Sequence, residues 1–152
     1  MPKILIIEDD TAFCQMLQKF LTKNGFAVST SYTIKEAEEQ LRNSHFDVIL
    51  SDVRLPKGNG VTLLPQVKKE SPHTQVILMT GYAEVRTAVN AIKNGAFDYI
   101  SKPFTPDEIV TVINNALNTK ATNQQSKVEK QTAKTVQNTQ KSFLVGESEK
   151  SK

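Results

Sequence analysis

Short apolar runs and helical apolar stripes alternate five times between residues 3 and 118, and the alternation predicts five β–α units. The run Lys3-Ile4-Leu5-Ile6-Ile7 is rich in β-branched residues and ends abruptly in Glu8-Asp9-Asp10, as a buried parallel strand would. Phe13, Met16, Leu17, Phe20 and Leu21 then recur at three- and four-residue intervals up to a glycine stop at Asn24-Gly25. Residues 26–30 read as a second strand. Ile34, Ala37 and Leu41 mark a second, more polar helix that begins after Thr33 and closes near Asn43. The third strand runs through Asp47-Val48-Ile49-Leu50 to Asp52, and Pro56-Lys57-Gly58-Asn59-Gly60 after it is loop chemistry. Its helix is expected over 63–70, with Pro65 tolerated near a first turn.

Strand four, 75–79, ends in Thr80-Gly81, and Val85, Ala88, Val89 and Ile92 mark one face of a helix stopped at Asn94-Gly95. Strand five, Asp98-Tyr99-Ile100-Ser101, ends in Lys102-Pro103. Thr105-Pro106-Asp107-Glu108 supplies a cap, a proline at the first helical position and acid in the first turn. The helix it opens carries Ile109, Val112, Ile113, Ala116 and Leu117. Five such units imply an α/β fold, a doubly wound parallel sheet with right-handed crossovers. The segments leave the strand order open.

Composition narrows the picture. With 152 residues, 38% hydrophobic and 23% charged, the chain has room for one domain with a core and a tail. The net charge of +3 is unevenly spread, because residues 1–118 hold 12 Lys and Arg against 13 Asp and Glu, while 119–152 hold 7 against 3. The basic excess is diluted among Gln, Thr, Ser and Asn, which reads as a solvated segment and gives no ground for direct nucleic-acid binding. The lone Cys14 excludes an internal disulfide and falls on a helical apolar stripe, where it reads as a small buried hydrophobe. A run of about 18 apolar residues is missing, and charges break up the amino terminus, so neither a membrane span nor a signal peptide is expected. The expected location is the cytoplasm.

In a sheet wound this way, the residues just past strands one, three, four and five share the carboxyl edge, where open α/β sheets bind ligands. Those residues are Glu8, Asp9 and Asp10, then Asp52, Thr80 and Lys102. Singly, each has a plainer role, such as a helix cap, a strand-end threonine or a solvated turn lysine. Together they make oxygen ligands that suit a hard cation such as Mg²⁺, with a lysine and a hydroxyl for the oxygens of a phosphoryl group.

Ile4 to Asp10, Ser51-Asp52-Val53-Arg54-Leu55-Pro56, Met79-Thr80-Gly81 and Lys102-Pro103-Phe104, in this order and spacing, resemble the receiver domain of bacterial two-component response regulators. The resemblance spans residues 3–118. It is nearest to the nitrogen-regulator-C (NtrC-like) type, through 52–56 and Gly95-Ala96-Phe97-Asp98-Tyr99-Ile100-Ser101-Lys102-Pro103-Phe104.

It implies a flavodoxin-like fold of five β–α units over 1–118, phosphorylated on Asp52 by a sensor histidine kinase with Mg²⁺ as cofactor. Asp9, Asp52 and the backbone carbonyl of Arg54 are then the metal ligands, and Glu8 holds metal-bound water. Thr80 and Lys102 meet the phosphoryl oxygens, Tyr99 is the switch aromatic that moves with Thr80, and Pro103 follows a cis peptide bond. Such a domain assists its own phosphorylation without being a turnover enzyme, and homodimerises when phosphorylated.

Residues 119–141 form a polar linker, and without glycine or proline from 107 to 145 helix five is expected to run into it for several turns before fraying. Phe143-Leu144-Val145-Gly146-Glu147-Ser148 resembles the opening of the ATPase domain of activators of the enhancer-dependent sigma factor. That makes 142–152 the start of a truncated ATPase domain, with ATPase and DNA-binding output domains in the full-length chain. A stand-alone receiver acting as a protein-binding relay is the alternative. A phosphatase of the haloacid dehalogenase type is disfavoured, because Glu8 stands where its nucleophilic aspartate belongs.

Overall fold

The computed structural model describes residues 1–56 and 58–122, except for the side chains of Tyr82 and of 120–122. The apolar runs form strands β1 (Lys3–Ile7), β2 (Ala27–Ser31), β3 (Val48–Asp52), β4 (Gln75–Thr80) and β5 (Asp98–Ser101). Between and after them lie helices α1 (Thr11–Lys23), α2 (Ile34–Asn43), α3 (Leu64–Glu70), α4 (Val85–Lys93) and α5 (Pro106–Thr122). All five strands are parallel, in the order β2-β1-β3-β4-β5. This is the doubly wound, flavodoxin-like order, with its switch point between β1 and β3.

Successive strand residues point to opposite faces, and here both faces are covered. Ile4, Ile6, Leu50, Ile77 and Met79 pack against Cys14, Leu17 and Leu21 of α1 and Ile109, Ile113 and Ala116 of α5. Leu5, Ile7, Ile49, Val76 and Leu78 pack on the other side against Ala37 of α2, Leu64 and Val67 of α3, and Ala88 and Ala91 of α4. The unbroken apolar runs follow from this, because on β1, β3 and β4 every residue is buried except the end residues Lys3 and Asp52. Met1–Leu117 form one compact unit.

The structure corrects several local expectations. β2 starts one residue late, because Gly25, at φ 94°, turns the chain and the Phe26 amide donates to Leu21 O at the end of α1. The loop after β3 contains a two-residue antiparallel pair, Arg54–Leu55 with Gly58–Asn59, and a 3-10 turn, Gly60–Leu63, before α3. On α4 the fully buried residues are Ala88 and Ala91, whereas Val89 is 40% exposed. Two small residues three apart let the helix lie close to the sheet, and that rotation turns Val89 outward. α5 continues past Leu117 to Thr122. The rest of its expected extension, and the whole expected ATPase opening, lie outside the described residues.

Candidate functional site

Strand register decides which side chains meet. Ile7 lies beside Ser51, Asp52 beside Met79 and Thr80 beside Ser101, so the residues following those strands emerge together at the carboxyl edge. There they border a cavity of about 660 Å³ whose walls include Glu8, Asp9, Asp52, Arg54, Glu84 and Lys102.

Lys102 is the hub of this cavity. Its Nζ donates to Glu8 Oε1 at 2.8 Å and to Asp52 Oδ2 at 3.1 Å, and lies 4.9 Å from the centre of the Phe13 ring. The Lys102 amide donates to Thr80 O at 2.7 Å, and the following bond to Pro103 is cis. Burial by itself would lower the lysine's pKa. The hydrogen bond and charge of Glu8, then those of Asp52, outweigh burial and hold the ammonium above its ordinary value.

Glu8 is almost wholly buried. Burial pushes its carboxyl up, and the hydrogen bonds from Lys102 and from the Asp10 amide only partly offset this. Asp9 and Asp10 are exposed, and Asp10 caps α1 by accepting from the Phe13 amide at 3.1 Å. The acidic triplet therefore splits into three tasks: one residue against the lysine, one free at the rim and one cap.

Carboxylate oxygens of Glu8, Asp9 and Asp52 all lie within 4.8 Å of one another. An oxygen-only set of this size and charge fits a hard divalent cation. Thr80 is completely buried, and its Oγ1 has no hydrogen-bond partner, so an unspent polar group lies on the strand next to Asp52. Tyr99 is partly buried against the α3–α4 side of the core. The Arg54 side chain is 76% exposed and reaches Glu84 at 2.7 Å.

Three residues with a part in this geometry were given no role by the sequence. Gly60 donates its amide to Val53 O at 2.8 Å, and a Cβ there would collide with the Asp52 carbonyl and Ser51 Oγ. Ser51 Oγ in turn donates to Asp52 O at 2.9 Å. Glu84 turns back so that its Oε1 accepts from the Gly81 amide at 3.0 Å. A glutamate three residues after a glycine at a helix start has capping-box spacing, a signal that could have found it.

A family model described as the response regulator receiver domain matches residues 4–114. The transcriptional regulatory protein ZraR of Escherichia coli (strain K12) is 38% identical over 114 residues, which cover 75% of this chain and 26% of that protein. The DNA-binding transcriptional regulator NtrC of Klebsiella pneumoniae is 38% identical over 112 residues, 74% of this chain and 24% of that protein. The chain thus spans about a quarter of the length of these curated relatives. Among solved structures, a response regulator receiver domain protein from Clostridium thermocellum superposes with a TM-score of 0.74 at 34% identity, covering 78% of this chain and 95% of that one. The beryllofluoride-activated NtrC4 receiver domain dimer gives 0.73 at 35%, covering 78% and 98%. Since the match takes in every strand and nearly all of the compact unit, this chain belongs to the response regulator receiver domain family.

Proposed function

We propose that this domain accepts a phosphoryl group on Asp52 from the histidine of a sensor kinase and passes the change to an output domain. The observation that carries the reading is the Lys102 ammonium, which spans Glu8 and Asp52 at the carboxyl edge of the sheet. An Asp52 oxygen attacks phosphorus and forms the new P–O bond. The P–N bond of the phosphohistidine breaks, and the imidazole leaves with the electron pair and takes up a proton. Little covalent chemistry is left for the protein, so its contribution is position and charge. Lys102 can turn from Asp52 to a phosphoryl oxygen, and the unpartnered Thr80 hydroxyl can donate to another. Asp9, Asp52 and the Arg54 carbonyl would hold Mg²⁺, with Glu8 acting through water. When bound, the ion neutralises charge on the phosphoryl oxygens.

Moving Thr80 opens space beside β4 and β5, and Tyr99 is the residue that turns into it. Repacking at that point shifts the face made by α4, β5 and α5, through which the phosphorylated domain pairs with a second copy. Likeness to the transcriptional regulatory protein ZraR and the DNA-binding transcriptional regulator NtrC supports an output that controls transcription through DNA, and the run Phe143-Leu144-Val145-Gly146-Glu147-Ser148 supports an ATPase part within it. The domain is a switch with a self-assisted phosphorylation step and no turnover of its own.

Intact mass after treatment with acetyl phosphate and Mg²⁺ tests the reading. One phosphoryl group is expected on the wild type, none on Asp52→Asn, and none on either after chelation of the metal. Equal labelling of Asp52→Asn would overturn it.

A further inference from the structure

Besides Asp10, which caps α1, one carboxylate in the cavity wall has no part in phosphoryl transfer. Glu84 closes the 3-10 turn Tyr82–Glu84 that leads into α4, and its side chain is 17% exposed. Oxygen Oε2 lies 2.7 Å from an Arg54 guanidinium nitrogen, and Oε1 accepts from the Gly81 amide. Arg54 is two residues past Asp52, and Gly81 directly follows Thr80. One anion therefore ties the loop after β3 to the loop after β4. Glu84 also occupies the space above Gly81, where a Cβ would lie 2.8 Å from Oε1. α4 has no side-chain cap of its own, so its start depends on this tie.

We propose that Glu84 is an internal competitor of the phosphoryl group, a latch that holds Arg54 and the Gly81 amide until a phosphoryl group on Asp52 takes them and expels it. The proposal rests on Asp52 being the acceptor. A phosphoryl group brings a charge of about −1.5 to −2 into a cavity where Glu84 already carries one negative charge. The two anions repel, and both seek the same donors. Arg54 is the natural pivot, because a guanidinium fork matches phosphate as well as carboxylate and its exposed stem is free to swing. Loss of the Arg54 and Gly81 contacts releases the turn at the head of α4. Charge at Asp52 thus reaches the helix through a defined exchange of partners, with the difference in affinity between the two states that such a switch requires. Until it is expelled, the latch opposes phosphorylation.

Glu84→Gln keeps the size of the side chain and its bond to the Gly81 amide but gives up Arg54. Acetyl phosphate should label Asp52 in this variant at least threefold faster than in the wild type. In an Arg54→Gln background the same change should give no gain, because the cation to be released is gone. In ¹H–¹⁵N spectra, the Arg54 Nε resonance of the wild type should move with beryllofluoride, and that of Glu84→Gln should start displaced. The same spectra report whether each variant is folded.

An equal gain with and without Arg54 would overturn the latch in favour of simple repulsion of the anionic donor. Normal labelling of Asp52 with no gain in Glu84→Gln would overturn the latch and leave the acceptor standing. Labelling that survives Asp52→Asn would remove the acceptor, and the latch with it.

Discussion

Cys14 sits on the face of α1 turned to the sheet and has no exposed surface. Burial pushes its thiol from the ordinary 9.0 to about 11, and the charges of Glu8 and Asp10 push the same way. At neutral pH the group is a thiol and not a nucleophilic thiolate, so it packs as a small apolar side chain. The native protein at pH 8 should resist an aromatic disulfide reagent that titrates one thiol per chain in guanidinium; rapid native labelling would contradict the burial. The linkage has a definite sign. Between pH 9 and 11 the folded thiol keeps a proton that the unfolded one has lost, so stability falls as pH rises, by at most about 1.4 kcal/mol per unit. Relative to wild type, Cys14→Ala should lack that component in unfolding curves measured across the window.

Helices α4 and α5 begin in different ways. At the start of α5, Thr105 Oγ1 accepts from the Glu108 amide at 3.1 Å and Glu108 Oε1 accepts from the Thr105 amide at 2.8 Å. Pro106 needs no partner for an amide, and Asp107 and Glu108 face the positive end of the helix dipole. This reciprocal cap is local, exposed and independent of the cavity. Thr105→Ala should therefore lower stability by about 1 kcal/mol, and Thr105→Ser should restore most of it, read as the midpoint of denaturant unfolding. Neither change should alter phosphorylation of Asp52. α4 begins on the Glu84 contacts instead, and these lie in the wall of the carboxyl-edge cavity.

At the scale of the whole domain, α4, β5 and α5 carry a few accessible apolar groups among polar ones. Val89 is exposed on α4, and a cavity of about 340 Å³ is lined by Ile100 of β5 and by Asp107, Glu108, Thr111 and Val112 of α5. Apolar groups set beside charged ones suit an interface that forms conditionally. Sedimentation should show the average mass rising toward a dimer when beryllofluoride and Mg²⁺ are added. Val89→Glu should prevent the rise while leaving Asp52 open to acetyl phosphate. An unchanged mass in the wild type would contradict pairing through this face.

The sequence by itself determined the five β–α units, the cap of α5, the burial of Cys14 and the acid, hydroxyl and lysine at the strand ends. Each of these is written in local spacing, because strand and helix periods and cap chemistry depend on neighbours within a few residues. Strand order is another matter. Strands buried on both faces carry no alternation that would tell a central strand from an edge one, so only packing decided that β1 lies between β2 and β3. The tertiary structure alone brought Lys102 to Glu8 and Asp52, 94 and 50 residues away in the chain. It also turned Val89 outward, pressed Gly60 against the Asp52 backbone and joined Arg54 to Glu84. Those contacts depend on where separate loops meet, and loop meetings are set by the register of the strands beneath them, which no periodicity encodes.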